Sequence, residues 1–204
     1  MGYSRQSLDS MKLFDALKEK GNPYWIPNSS RNDLPEFFVE LGHKTGVEVG
    51  VDEGEYTESF AKVGLSIYGV DPWKVYEEYN NRENQPELDS KYDRTRLRLA
   101  PYPNSHIIRK TSMEALTFFK DNSLDFVYID GNHKFRYVAE DICEWTKKVR
   151  KEGIVSGHDY EGAGRNRFVT FVLEAYLKSY NISNWYVIGD GKDITLNWMF
   201  VKHW

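Results

Sequence analysis

The sequence predicts a doubly wound α/β domain, with a largely parallel sheet, helices on both faces and one antiparallel strand near the C-terminus. Three observations carry this. Short β-prone runs (Gly46 to Val49, Ser66 to Val70, His106 to Lys110, Leu124 to Ile129, Gly153 to Ser156) alternate with segments of helical apolar spacing. The stretch Val47-Glu-Val-Gly-Val-Asp-Glu-Gly-Glu-Tyr-Thr57 reads as strand, glycine turn and helix start. Two last runs, Asn184 to Ile188 and Leu196 to Lys202, lie close enough for an antiparallel hairpin. Such alternation implies right-handed crossovers and a ligand site at the C-terminal strand ends.

The elements follow in order. Leu8, Met11, Phe14 and Leu17 recur at three-residue steps and predict an amphipathic helix over 4–20, ended by Gly21-Asn-Pro23. Tyr24 to Asn32 reads as a loop. Asp33 is the expected N-cap of a helix that runs to about Leu41 and stops at Gly42. Residues 1–44 are thus an N-terminal helical extension packed on a core of 45–204. A helix from near Tyr56 carries Phe60, Ala61 and Val63 inward. Residues 72–104, polar and with Pro86, Pro101 and Pro103, read as an insertion or lid, with a helix near Asp89 to Leu99. Ser112 is placed to cap a helix whose buried positions are Ala115, Leu116, Phe118 and Phe119. A helix from Arg136 to Arg150 buries Val138, Ile142, Trp145 and Val149. Gly162-Ala-Gly164 reads as a flexible joint before a long helix carrying Phe168, Val169, Val172, Leu173, Tyr176 and Leu177.

Composition excludes several classes. A chain of 204 residues with net charge −4 has room for one such domain and carries no electrostatic footprint for nucleic acid. The basic run Arg94 to Arg98 reads as a solvated helix face. The single Cys143 rules out an intramolecular disulfide and reads as a packing residue. No apolar run is long enough to span a membrane and no signal peptide is present, so a cytoplasmic location is expected. The N-terminal amphipathic helix is the candidate contact for a homodimer.

The glycine turn separates two kinds of cofactor. A dinucleotide site needs G-x-G-x-x-G, whereas Gly50 and Gly54 give G-x-x-x-G with Asp52, Glu53 and Glu55 in and beside the loop. Those carboxylates repel a pyrophosphate. They suit a cofactor with ribose and adenine but a sulfonium and an ammonium in place of phosphates, namely S-adenosylmethionine (SAM). Asp71 ends the next strand about 20 residues on, where an acid meets a ribose diol. The alternative is that the glycines only shape the backbone and Asp71 only caps its strand.

Taken together, Glu48-Val-Gly50 with Gly54, Asp71-Pro-Trp73, Leu124-Asp-Phe-Val-Tyr-Ile-Asp-Gly-Asn-His133 and Gly153-Ile-Val-Ser-Gly-His-Asp-Tyr160 resemble the class I SAM-dependent methyltransferases. The pattern is similar to their small-molecule O-methyltransferase branch, which includes macrocin-type and cephalosporin-hydroxylase-like proteins. The resemblance covers residues ~45–202. It implies a Rossmann-like sheet with strand order 3-2-1-4-5-7-6. It implies Gly50 against the amino-acid part of the cofactor, Glu48 at the base of that site and Asp71 on the ribose. Trp73 or Met113 then flanks the adenine, Ser112 bonds near its ring nitrogens, and Asp130 lies by the methionine end and the reacting centre. Each residue also has a plainer reading: Trp73 as core, Ser112 as a helix cap, Glu48 as a surface acid, although an acid inside an apolar strand calls for a partner.

Methyl transfer is an in-line displacement, and a hydroxyl acceptor must lose its proton. Asp130 and Asp159 end neighbouring strands and can converge on Mg²⁺ or another divalent cation, which lowers a hydroxyl pKa. His133 and His158 are candidates for a nitrogen ligand or for the base. The metal-dependent relatives carry a further acid at the positions of Asn132 or His158, and this chain departs there. The leading expectation is a SAM-dependent O-methyltransferase for a small polar acceptor such as a sugar or glycan precursor. The competitors are a metal-dependent hydrolase or hydroxylase-like enzyme on Asp130, Asp159 and a histidine, and a non-catalytic binding module on the same fold. His43, His106 and His203 have no such company and read as packing or surface residues.

Overall fold

A computed structural model describes residues 13–76, 83–161, 167–189 and 195–204. The elements are β1 (Tyr24–Ile26), a 3-10 turn (Arg31–Asp33), α1 (Leu34–Glu40), β2 (Thr45–Val49), α2 (Glu55–Lys62) and β3 (Ser66–Val70). They continue with α3 (Gln85–Leu99), β4 (Ser105–Ile108), α4 (Ser112–Ala115), a second 3-10 turn (Leu116–Phe118), β5 (Leu124–Ile129) and α5 (Phe135–Lys148). The last are β6 (Val149–Tyr160), α6 (Arg167–Ser179), β7 (Tyr186–Ile188) and β8 (Leu196–Val201). They build one sheet in the order β1-β7-β8-β6-β5-β2-β3-β4. Every pairing is parallel except those of β8, which runs antiparallel to β6 and β7.

From β2 onward this is the expected order 3-2-1-4-5-7-6. The difference lies at the edge. Tyr24 to Ile26, expected as loop, pairs in parallel with Tyr186 to Ile188 and adds an outer strand. Residues 24–40 therefore share the sheet and its core. Of the predicted first helix, 4–12 fall outside the described residues. Residues 13–16 are helical, and Leu13 and Ala16 are the buried ones while Phe14 is exposed.

The central strand β5 is buried on both faces, which is why its sequence is nearly continuously apolar. Alternate side chains enter two cores. Val127 and Ile129 join Ile142, Trp145, Leu173 and Tyr176 under α5 and α6. Phe126 and Tyr128 join Phe37, Phe38 and Phe60 under α1 and α2. β6 begins at Val149, earlier than expected, because the buried Val149 fits the helical spacing of α5 while pairing with Leu124.

Four local expectations are corrected. Asp33 holds the N-cap position of α1, but its side chain does not cap that helix; its carboxylate accepts from Ser30 N–H at 2.7 Å, closing a capping box on the preceding 3-10 turn. Thr111, not Ser112, is the N-cap of α4, and Phe118 is exposed. Cys143 lies on the exposed side of α5. The 72–104 segment supplies α3, with Trp73, Leu88 and Val51 buried against Tyr92 and Ile107; residues 77–82 and the Gly162–Gly164 joint lie outside the described residues. Among the described residues no helix is long and apolar enough to cross a membrane.

Candidate active site at the C-terminal strand ends

The C-terminal ends of β2, β3, β5 and β6 lie side by side at one end of the sheet. Gly50 has φ +89°, and a Cβ there would lie 2.0 Å from the Asp130 carbonyl oxygen. The glycine makes room for the end of β5. Gly54, with φ +78°, starts α2. The acidic turn between them is not bare. Lys91 pairs with Asp52, Arg94 meets Glu53 at 2.7 Å, and Arg98 meets Glu55 at 3.3 Å. The basic run expected to be a solvated face thus neutralises the acids expected to repel a pyrophosphate, and the missing middle glycine alone carries that exclusion.

Glu48 is buried and accepts a hydrogen bond from Thr57 Oγ1. Burial pushes its pKa up to about 8, outweighing that bond. Asp71 is tied into its own turn. Its Oδ2 accepts from Val51 and Asp52 N–H at 3.0 and 3.2 Å, and its Oδ1 from Trp73 N–H at 2.8 Å. Burial nonetheless raises its pKa. Trp73 is 1% exposed at φ +39°; its Nε1 donates to Asp52 O at 2.8 Å and its ring packs on Tyr92. It occupies the core reading rather than an open stacking face. Ser112 and Met113 are half-buried at the start of α4.

Asp130, His133 and Asp159 come together, each offering a ligand atom within 4.8 Å of the others. His133 Nε2 is 2.7 Å from Asp159 Oδ2 and 3.5 Å from Asp130 Oδ1. Although so close, the buried Nε2 makes no aligned hydrogen bond: the carboxylate oxygens lie off its N–H direction. His158 turns Nδ1 to Asp130 at 3.7 Å and Asp159 at 3.6 Å, and its Nε2 meets Thr195 Oγ1 at 3.1 Å. Burial lowers both imidazoles, but the two carboxylates win and raise His133 to about 10 and His158 to about 9. Asp159 is held well below the usual carboxylate range: burial opposes this, and the two histidines overcome it.

Sequence reasoning missed Arg31. The Ser30–Asp33 box fixes its turn, Tyr56 Oη donates to its carbonyl at 2.7 Å, and its guanidinium lies 5.1 Å from the Tyr56 ring centroid and 3.9 Å from Asp130 Oδ2. The spacing of Ser30 and Asp33 is the sequence signal for this turn, whereas the sequence alone points to Asp33 by itself, as the N-cap of the following helix.

A largely parallel sheet with acids at the ends of β2, β3, β5 and β6 defines an α/β domain and places those acids at the topological switch point, where such domains bind their ligands. Comparison with known proteins gives the family. Residues 47–160 match the family described as a methyltransferase domain, more than half of the chain, and the chain belongs to that family. An uncharacterized protein of Sinorhizobium fredii is 37% identical over 57 residues, covering 28% of this chain and 6% of that protein. The chain therefore spans only a small part of that curated relative. Among solved structures, an O-methyltransferase from Bacillus cereus in complex with S-adenosylhomocysteine (SAH) has a TM-score of 0.58 at 14% identity, covering 99% of this chain and 93% of its own. The O-methyltransferase TomG from Streptomyces achromogenes, involved in tomaymycin synthesis and in complex with SAM, has a TM-score of 0.57 at 12% identity, covering 98% and 91%. At these identities the likeness is one of fold.

Proposed function

We propose that the chain is a SAM-dependent O-methyltransferase that acts on a small polar hydroxyl acceptor, such as a sugar or glycan precursor, with a divalent cation held by Asp130, His133 and Asp159. The convergence of those three side chains carries the reading. A buried imidazole nitrogen beside two carboxylate oxygens, yet aimed at neither, is the arrangement of donor atoms that share a common point rather than each other. With the acids of the turn paired to Lys91, Arg94 and Arg98, the residues left for the cofactor are Glu48 at the ammonium end, Asp71 at the ribose and Ser112 with Met113 at the adenine.

In this reading the cofactor supplies an electrophilic methyl group and the cation lowers the acceptor hydroxyl pKa. The chain's own residues do the rest. Asp130 and Asp159 come from neighbouring strands, so their separation is fixed by the sheet. His158 is oriented by Thr195 and is the side chain that takes the hydroxyl proton. The carboxylates now holding His158 protonated are the ones that would hold the cation. A cation held by those carboxylates would take up their charge, and His158 would then be able to accept a proton near neutral pH.

Calorimetric titration with SAH, with and without Mg²⁺, tests the reading. The expected result is SAH binding, and cation binding that is at least about tenfold weaker in Asp159→Asn. Asparagine tolerates the left-handed backbone at 159, φ +61°, so that variant keeps the loop. Cation binding without SAH binding would favour the hydrolase-like alternative, and SAH binding with no cation in any variant would remove the metal.

A further inference from the structure

Asp141 lies on α5, 4% exposed, and takes no part in the cluster of Asp130, His133 and Asp159. Its Oδ1 accepts the hydroxyl proton of Ser112, the first residue of α4. Ser112 Oγ in turn accepts from Trp145 Nε1 at 2.7 Å. An indole N–H only donates, so the direction of that bond is fixed. A hydroxyl has one proton and two lone pairs. In Ser112 the proton goes to Asp141 and one lone pair to Trp145. One lone pair remains, on a residue that is only half-buried, so Ser112 has no proton left for the ring nitrogens that the resemblance implied and is matched to a donor instead.

The two helices hold this chain of bonds in place. Trp145 is fully buried, with its ring 5.6 Å from that of Phe119. The second Asp141 oxygen sits under the loop after β5, where a Cβ on Gly131 would be 3.4 Å from Oδ2. Gly131 directly follows Asp130, so the loop that carries the reacting end and the helix that carries Asp141 are in contact.

We propose that Asp141 is a specificity-determining positioning residue for the nucleobase: by holding the Ser112 proton it makes Ser112 an acceptor only, matched to the exocyclic amine of adenine and mismatched to the carbonyl of hypoxanthine. This rests on the SAM reading given above. A carbonyl brought to Ser112 meets a lone pair, and both groups then lose their water without gaining a partner. A ligand that leaves buried polar groups unpaired is rejected far more strongly than one that merely lacks a methylene.

The test compares binding of SAH and S-inosylhomocysteine, which differ at that position of the base, to the full chain. Burial pushes Asp141 to about 7 despite the Ser112 bond, so the titration is run at about pH 8.5, where the carboxylate is ionised. The expected wild-type preference for SAH is about tenfold or more. In Asp141→Leu the freed hydroxyl can turn and donate to the carbonyl, and the preference should fall to within about threefold. Ser112→Ala, which leaves Asp141 in place, should remove the preference as well and keeps the test open if Asp141→Leu does not fold. A purely structural role for Asp141 would weaken both ligands together and leave their ratio unchanged. A ratio that survives Ser112→Ala, or a wild type without preference, overturns the proposal while leaving SAH binding intact. A wild type that binds neither ligand overturns the SAM reading and the proposal with it.

Discussion

The Cα of Gly50 faces the carbonyl of Asp130 so closely that a side chain at 50 would start 2.0 Å from the Asp130 oxygen. The two loops are also sewn together: Asp130 N–H donates to Val49 O at 2.7 Å, and Gly50 N–H to Val70 O at 2.9 Å. The turn that faces the proposed cofactor and the acid that faces the proposed cation thus share one backbone junction. Displacing either moves the other.

Gly50→Ala should therefore cost more than its left-handed backbone alone. A positive φ costs a non-glycine residue about 1–2 kcal/mol, and a clash against backbone adds to it. Gly42→Ala is the control, since Gly42 also has positive φ, +76°, but a Cβ there meets nothing within 4 Å. Urea unfolding should show Gly42→Ala reduced by about 1 kcal/mol and Gly50→Ala by at least twice that. Equal losses would mean that the junction yields freely.

Asp71 should prove structural as well as ligand-facing. Its carboxylate accepts three backbone N–H groups from the two turns beside it. Asp71→Ala strands them and should lower stability by roughly 2–4 kcal/mol; Asp71→Asn, which keeps one acceptor oxygen, should lose less. Lost SAH binding in Asp71→Ala then reports on the ribose only if the variant's urea midpoint shows it folded. An Asp71→Ala chain as stable as wild type would remove these bonds from the account.

These cases mark what was legible in the sequence. The alternation of strands and helices from β2 to β8 followed from periodicity and their order from the family resemblance, and Asp130, His133, His158 and Asp159 stood out because strand-end motifs keep their neighbours in sequence. What failed depended on partners far along the chain. Tyr24-Trp25-Ile26 is a strand only because Tyr186 to Ile188 lies beside it. Trp73 is core only because α3 covers it. The acids at 52, 53 and 55 are expected from the sequence to repel a pyrophosphate, and their partners Lys91, Arg94 and Arg98 lie a whole crossover away. Arg31 entered the site through a turn too short for any periodicity.

His43 should set an acid limit on stability. The ring is buried, tilted against Phe38 and stacked on Phe126, and among the described residues its Nδ1 has no hydrogen-bond partner. Burial lowers its pKa to about 4 against an ordinary 6.5. Only the unfolded chain takes up the proton between those values. Stability is therefore whole above pH 6.5 and is lost as pH falls toward 4, by on the order of 3 kcal/mol. His43→Leu should flatten the urea midpoint across that range. A wild-type midpoint that is already flat there would show that His43 protonates without unfolding the chain.

Glu48 has the opposite sign and links stability to binding. Burial raises its pKa from an ordinary 4.5 to about 8, so the folded chain holds this proton through neutral pH while the unfolded chain has lost it. Its contribution is whole below pH 4.5 and disappears as pH rises through 8. Glu48→Gln keeps an acceptor for Thr57 without an ionisation, and should gain stability over wild type as pH rises, by a few kcal/mol at most. Binding should carry the same proton. If Glu48 meets the ammonium of SAH it must ionise to do so, and titration near neutral pH should release protons. The measured heat then changes with the ionisation enthalpy of the buffer in wild type, and changes less in Glu48→Gln. Buffer dependence of the same size in both chains would place the ammonium away from Glu48, leaving that acid as a buried partner of Thr57 and nothing more.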